Sequence, residues 1–513
     1  MIFIFGVFNQ VNTKNFQEDT MTNIVGLSAG FHDAAATVIS NTGDILFAGH
    51  SERYSKQKHD SHISQGLLDE VLTYAPGTVA YYENPLQKQL RQLYAGQGFN
   101  ADAWRLSQVL RYETGGWLLG TKQKSYDHHK CHAAAGFQTS PFDRATVVVI
   151  DAIGEWDTIS IWAAEYDGKG RAKYKKLWRQ KYPHSIGLFY SAMTDKVGLR
   201  PLDEEYILMG MAAYGRPAWE DHMKHSLIDN EWDMTFKHNL HTGVPEDFLK
   251  DADQYDVASS AQAVVENLIY NIMRRAKDFD WSKNLVYMGG VALNCSANRN
   301  LGDYFDNIWI MPNPGDAGSS LGAAALAYGK RLNWNNAYLG TEIPGKYPVT
   351  QLLDNLVTTG IVGVASGRAE FGPRALGNRS LLADPRGDDI KDKVNEIKRR
   401  QKFRPFAPVI MEELAHEYFD MPRGFSTSRY MQTVATCRRP DLFPAIVHAD
   451  GTSRVQTVPK DGSGIRELLE RWYVLTGCPM LLNTSLNIRG EPMVNDRADA
   501  DRFEKLYNVK VCS

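Results

Sequence analysis

Two short apolar runs stop abruptly against residues that carry chemistry. Residues 147–150 read VVVI and are followed at once by Asp151; residues 285–288 read LVYM and are followed by Gly289 and Gly290. Four such residues without polar alternation fit a strand covered on both faces, as in a parallel sheet flanked by helices. Ligands of open α/β sheets gather at the loops leaving such strands. Helical periodicity is visible at 257–277 and 319–331, so strands and helices alternate and the expected fold class is α/β. Nearer the start, an apolar strand from Asn23, a small-residue turn at 28–30, an apolar stretch at 34–39 and a further strand around 45–48 read as a β-hairpin with polar residues at its mouth. The sequence shows no internal repeat.

A chain of 513 residues exceeds what one core organises, and at 43 % hydrophobic residues it has apolar material for two or three domains. Residues 1–22 lack periodicity and are expected as a poorly ordered extension. Residues 23–335 are expected as a first domain and 349–513 as a second; 336–348, polar with glycines and two prolines, read as a linker. Five cysteines without a CxxC pair fit a reducing compartment, and the apolar opening is too short to span a bilayer. The expectation is a cytoplasmic monomer or homodimer without membrane contact. A net charge of −3 gives no field for polyanions, so charge does not indicate a nucleic-acid partner.

DHHKCHAA, residues 127–134, sets His128 and His132 four apart on one helix face, able to reach a single ion. Two imidazoles with one carboxylate suit iron and other divalent metals while leaving positions open. Asp316, in NPGDAGSSLGAA at 313–324, is the candidate third ligand; the plainer reading of the same aspartate is a helix cap. GGVALNCSANRN, residues 289–300, follows a buried strand, and Gly289, Gly290 and Asn294, with Gly318 from the preceding motif, are candidate nucleotide contacts. No GxxxxGK[ST] loop occurs, so ATP needs another architecture. The last third carries EFGPRALGNRS (370–380), KRRQKFRPFAP (398–408), DGTSRVQTV (450–458) and LNTSLNIRGEPMV (482–494). Arg374, Lys398, Arg404, Arg454 and Arg489 stand there beside glycine, proline or strand-like residues, and several can converge on one phosphate. Any one of them alone reads better as a surface charge or structural salt bridge.

In their order along the chain, GLSAGFHDAAAT (26–37), SERYSKQKHD (51–60), DHHKCHAA, HSIGLFYSAMT (184–194), MGMAAYG (209–215), GGVALN and the four C-terminal stretches resemble the carbamoyltransferase family of nodulation and antibiotic O-carbamoyltransferases. The match runs from about residue 23 to 494. The resemblance implies an N-terminal actin-like ATPase domain of two lobes, similar to that of the tRNA threonylcarbamoyl-adenosine enzymes, and a C-terminal α/β domain similar to their YrdC-like, adenylate-forming partner. It implies that carbamoyl phosphate and ATP give carbamoyl-adenylate in the C-terminal domain. The carbamoyl group then passes to a free hydroxyl on a small molecule, a sugar or a hydroxymethylated nucleobase. Arg374, Lys398, Arg404, Arg454, Asn483 and Arg489 fall where the family binds carbamoyl phosphate and ATP phosphates, with Arg374 and Lys398 counted as catalytic. His128, His132 and Asp316 fall on its iron positions; another divalent metal is compatible, and Mg2+ accompanies ATP. His32 and Asp151 fall at the acceptor site. His32 is the expected general base, because an imidazole titrates near neutral pH.

Three departures stand out. The loop after Asp151 reads Ala152, Ile153, Gly154, Glu155, with less glycine than relatives carry; Ile207 replaces a typical lysine; and the chain stops soon after Val494, so packing there is expected to differ. A threonylcarbamoyl-type tRNA modification enzyme, an actin-like kinase and a non-catalytic nucleotide-dependent scaffold are the competing readings. Adenylate chemistry releases AMP and pyrophosphate, a kinase releases ADP, and a scaffold turns over nothing.

Overall fold

The computed structural model describes residues 22–462 and 464–513, so the extension expected at 1–22 lies outside the described residues except for Thr22. The first sheet is built from β1 (Ile24–Ser28), β2 (Ala35–Ile39), β3 (Ile45–His50), β4 (Thr78–Tyr81) and β5 (Lys122–Ser125), in the order β3-β2-β1-β4-β5. The expected hairpin is thus the first part of a three-stranded meander. β1 and β2 pair antiparallel, as do β2 and β3, whereas β1–β4 and β4–β5 are parallel. Helix α1 (His128–Thr139) follows.

The second sheet repeats this plan. Strands β6 (Arg144–Ile150), β7 (Asp157–Tyr166) and β8 (Ala172–Lys181) form an antiparallel meander. Helices α2 (Glu205–Met211) and α3 (Gln254–Asp278) lead to β9 (Asn284–Met288) and β10 (Asn307–Trp309), which add in parallel to give β10-β9-β6-β7-β8. Helix α4 (Ser319–Tyr328) follows β10 just as α1 follows β5. Strand order and direction therefore recur where residues do not, because a meander plus parallel additions needs only hydrophobic pattern and turns. These are the two lobes of an actin-like fold. The VVVI and LVYM runs lie in the adjacent parallel strands β6 and β9, and their side chains are buried on both faces. Each such side chain is worth roughly 1.5–3 kcal/mol of burial.

The lobes meet through α1 and α4. Every residue of α1 except Lys130 is buried, and its Ala133–Ala134–Ala135–Gly136 core presents almost no side-chain bulk. A Cβ added at Gly322 would stand 1.8 Å from the Cys131 carbonyl oxygen, so the two helices touch backbone to backbone. That crossing brings the start of α4 to the histidines of α1.

The C-terminal part contains, besides shorter pairings, β11 (Tyr338–Ile343), β12 (Ile361–Ala365), β13 (Gly367–Glu370), β14 (Arg379–Ala383), β15 (Ala407–Met411), β16 (Gln456–Val458), β17 (Met480–Ser485) and β18 (Val511–Cys512). Six of them form a mixed sheet, β16-β15-β17-β14-β12-β18, over a core of its own that includes Val364, Leu382, Ile410, Trp472 and Leu481. Within the stretch expected as a linker, 336–348, residues 338–343 form β11, paired antiparallel with β13. The Arg368 guanidinium donates to the Leu339 carbonyl of β11 and the Leu46 carbonyl of β3, which ties the first lobe to the C-terminal part. Proline and glycine flank a short strand here as readily as they fill a linker. No helix among the described residues is long and apolar enough to cross a membrane.

Candidate active site

Four side chains converge between the lobes. His128 and His132 project from the first turns of α1, whose N-cap Asp127 accepts from the Lys130 amide. Asp151 follows β6, and Asp316 opens the single 3-10 turn that leads into α4. The two Nε2 atoms are 3.1 Å apart; Asp151 Oδ2 lies 3.1 and 3.4 Å from them and Asp316 Oδ1 3.3 and 3.2 Å. A point equidistant from a tetrahedron of such edges lies about 2 Å from each corner, the length of a first-row metal bond to imidazole nitrogen or carboxylate oxygen.

The outer contacts aim the donors inward. His132 Nδ1–H donates to the Pro314 carbonyl at 3.0 Å, which turns the Nε2 lone pair of the neutral ring toward the cluster. The Gly290 amide holds Asp151 Oδ1 at 3.1 Å and leaves Oδ2 facing the rings. Glu155 accepts from the His128 amide at 3.0 Å and the Asn84 amide at 2.6 Å, securing the open end of α1. The glycine-poor loop after Asp151 thus supplies a carboxylate that seats the helix. Burial raises the Glu155 carboxyl to about 7, with Asp127 adding to it. Two imidazoles and two carboxylates, all buried and mutually facing, fit a divalent metal ion.

Burial works against every charge in this group, and the pairing outweighs it. Asp316 and Asp151 hold the His128 ring well above the ordinary imidazole value. Asp316 is driven down to about 2 by the two histidines, against both burial and Asp151. His32 stands at the rim, its Nε2 3.8 Å from Asp316 Oδ2, and its Nδ1–H donates to Asp33 Oδ2 at 2.9 Å. Desolvation lowers its pKa, but Asp33 and Asp316 together lift it to about 9.

A second gathering, in the C-terminal part, is all of one sign. Arg374, Arg404 and Arg454, joined by Arg400, are half-buried and lie within electrostatic reach of one another. Burial first, then Arg454, depresses the Arg374 guanidinium to about 9, with Arg404 adding to it. Neither Arg374 nor Arg454 has a hydrogen-bond or ion-pair partner among the described residues, and Arg454 Nε is fully enclosed. Arg404 lies over the Tyr206 ring at 4.8 Å, and Arg489 pairs with Glu204 at 2.8 Å. Tyr206 and Glu204 open α2, so this cluster borders the first part of the chain. Ile207, the residue replacing a typical lysine, is core.

Other expected contacts are otherwise engaged. The Lys398 ammonium donates to the Ser485 and Asn487 carbonyls and to Asn487 Oδ1, at 2.5, 2.8 and 3.0 Å, so it braces the loop leading to Arg489 instead of offering a free charge. Asn483 is buried, with its amide donating to the Ala375 carbonyl and to Gln456, and it positions the Arg374 loop without facing the cleft. Asn294 exchanges both amide groups with Gln262 and caps a short helix, so its polar groups are spent inside the lobe. Gly289 and Gly318 answer to crowding: a Cβ at Gly289, where φ is 91°, would stand 2.1 Å from the Ile150 carbonyl oxygen, and one at Gly318 1.8 Å from that of Asn313. Arg400, Tyr206 and Glu204 went unpredicted, although Arg400 lies within KRRQKFRPFAP.

A two-lobed actin-like α/β fold with an imidazole–carboxylate cluster at the lobe junction, joined to a sheet bearing unpaired guanidinium groups, defines a bipartite enzyme architecture. Comparison with known proteins gives the family. The Carbamoyltransferase N-terminus model matches residues 119–325 and the Carbamoyltransferase C-terminus model residues 353–511. An uncharacterized protein of Synechocystis sp. is 33% identical over 94% of this chain and 94% of its own length. Nodulation protein NolNO of Sinorhizobium fredii is 30% identical over 91% of this chain and 76% of its own. Among solved structures, full-length HypF in a phosphate- and nucleotide-bound form covers 60% of this chain and 55% of its own at 13% identity, with a TM-score of 0.34. The chain belongs to the carbamoyltransferase family. It is a carbamoyltransferase enzyme, as the resemblance implied.

Proposed function

We propose that this carbamoyltransferase consumes carbamoyl phosphate and ATP, forms carbamoyl-adenylate at the arginine cluster, and transfers the carbamoyl group to an acceptor hydroxyl beside His32. The observation that carries the reading is the set of half-buried guanidinium groups with no counter-anion among the described residues. Like charges held together at a cost in stability are what phosphate-bearing substrates require. Arg374, Arg404 and Arg454 would hold phosphate oxygens as water splits carbamoyl phosphate into carbamate and inorganic phosphate, and as the carbamate oxygen then attacks the α-phosphorus of Mg-ATP. Pyrophosphate leaves as negative charge builds on oxygens that the same cations stabilise. The domain division follows this chemistry, with adenylate formation in 349–513, a domain of YrdC-like type, and transfer in 23–335.

At the transfer site, His128, His132, Asp151 and Asp316 would hold a divalent ion, ferrous iron on the family resemblance. When bound, it supplies Lewis-acid polarisation of the carbamoyl carbonyl. His32, with Nδ1–H fixed by Asp33, accepts the acceptor hydroxyl proton at Nε2 as that oxygen attacks the carbonyl carbon, and AMP departs. The test is product analysis with carbamoyl phosphate, Mg-ATP and Fe(II). Carbamoyl-phosphate-dependent AMP and pyrophosphate are expected; ADP would place the chain with kinases, and no turnover would refute catalysis of this type.

A further inference from the structure

We infer that Asp33, His59 and Asp203 form a chain of charged hydrogen bonds that fixes the ring of His32, with His59 as its central positioning residue. The inference rests on the functional reading above, in which His32 takes the acceptor proton. Asp33 Oδ2 accepts from His32 Nδ1, and its other oxygen accepts from His59 Nδ1 at 2.7 Å. His59 Nε2 donates to Asp203 Oδ1, also at 2.7 Å. Carboxylates only accept, so both ring nitrogens of His59 carry protons and the ring is a cation held between two anions. Asp203 is held in turn by Lys58 Nζ at 2.7 Å and Arg200 at 3.0 Å, and the His59 amide by Glu52 at 3.0 Å.

The backbone shows what this arrangement costs. Asp33, His59 and Leu202 have φ of 54°, 57° and 60°, a left-handed conformation that costs non-glycine residues on the order of 1–3 kcal/mol each where it is strained. Strain of this kind persists where surroundings over-determine it, and here it gathers around one hydrogen-bonded chain. Full enclosure would add the cost of stripping water from each of these charges. Instead, His32, Asp33 and His59 keep 27–29 % of their side-chain surface open, and the chain ends on the His32 nitrogen that faces the metal-ligand cluster. The other end is anchored at the turn before α2, whose next residue, Glu204, pairs with Arg489.

The chain acts on His32 as a carboxylate acts on any catalytic imidazole: Asp33 selects the Nδ1–H tautomer and stabilises the imidazolium formed when Nε2 takes the proton. His59 keeps Asp33 from rotating away. The test uses the full chain with carbamoyl phosphate, Mg-ATP and Fe(II), water standing in for the acceptor hydroxyl. Two rates are read: carbamoyl-phosphate-dependent ATP–pyrophosphate exchange, which reports adenylate formation, and net AMP release, which reports transfer to water. His59→Phe is expected to lower net release about 100-fold, within the range of general acid–base contributions, while exchange stays within about threefold and certifies the fold. His59→Gln, which keeps one N–H for Asp33, should recover at least about tenfold of that loss. On a His32→Gln background, His59→Phe should add nothing. Exchange and release falling together, unchanged release, or additive losses in the double variant would each overturn the inference. Absence of exchange in the native chain would overturn the functional reading itself, and the positioning role with it.

Discussion

The two charged regions of this molecule are built on opposite principles. Between the lobes, His128 and His132 face Asp151 and Asp316, so donors and acceptors meet at 3.1–3.4 Å and opposite charges offset burial. In the C-terminal part, Arg374, Arg400, Arg404 and Arg454 lie together, and burial with the neighbouring guanidinium charges weakens the hold of Arg374, Arg400 and Arg404 on a proton. The first region is shaped to the bond lengths of an ion, and its donors already meet as opposite charges. The second is incomplete until an anion arrives. The contrast teaches that stability and ligand binding are aligned at one site and opposed at the other.

The comparison breaks first at the arginines. Arg374→Ala or Arg454→Ala should lower carbamoyl-phosphate-dependent pyrophosphate release by about 10²–10³-fold, since each removes a cation from developing phosphate charge. Next, Asp316→Asn or His132→Ala should weaken metal binding by at least about 100-fold, read by metal analysis after dialysis, because first ligands matter more than the outer partners whose loss costs 10–100-fold. Third, pyrophosphate should raise the melting temperature of the native chain, by about 2.7 kcal/mol of stabilisation at a hundred times its dissociation constant. Arg454→Met should raise the ligand-free melting temperature by a degree or two through relief of repulsion, and should lose most of the pyrophosphate effect.

Much of the lobe site was legible because its ligands sit in local patterns. His128 and His132 are one helical turn apart, so spacing paired them, and the family resemblance joined Asp316 to the pair. Asp151, expected at the acceptor site, stands in the ion cluster; a strand-end aspartate declares its partners only through the crossing of α1 and α4. Lys398 and Asn483 show the converse. A sequence reveals that a polar group is present, not whether its hydrogen bonds are already taken, and both are spent on loops that carry arginines. The duplicated lobes were invisible because strand order can recur without residue identity, and β11 was hidden by the prolines and glycines around it. The chain through His59 spans residues 32 to 203, a separation no local pattern signals, although HD at 32–33 and KHD at 58–60 supplied three of its groups.

The smallest expected effect concerns pH. His59 is opposed first by desolvation, yet Asp203 and Asp33 raise its pKa from the ordinary 6.5 to about 10, with Lys58 acting against them. A group raised on folding contributes stability fully present below about pH 6.5 and lost as pH rises through about 10. His59→Phe should therefore cost a few degrees of melting temperature near neutrality, a deficit that shrinks above pH 10. Asp33 and Asp203 are depressed on folding, so their contribution fades instead as pH falls through the acid range.

The most direct test of two separate chemistries is carbamoyl-phosphate-dependent ATP–pyrophosphate exchange, measured with bound iron in the same samples of native, Arg374→Ala and Asp316→Asn protein. The prediction is a crossed pattern: Arg374→Ala loses exchange and keeps iron, whereas Asp316→Asn loses iron and keeps exchange. Loss of both properties together in either variant would contradict the division between an arginine-held adenylation site and an ion-holding transfer site.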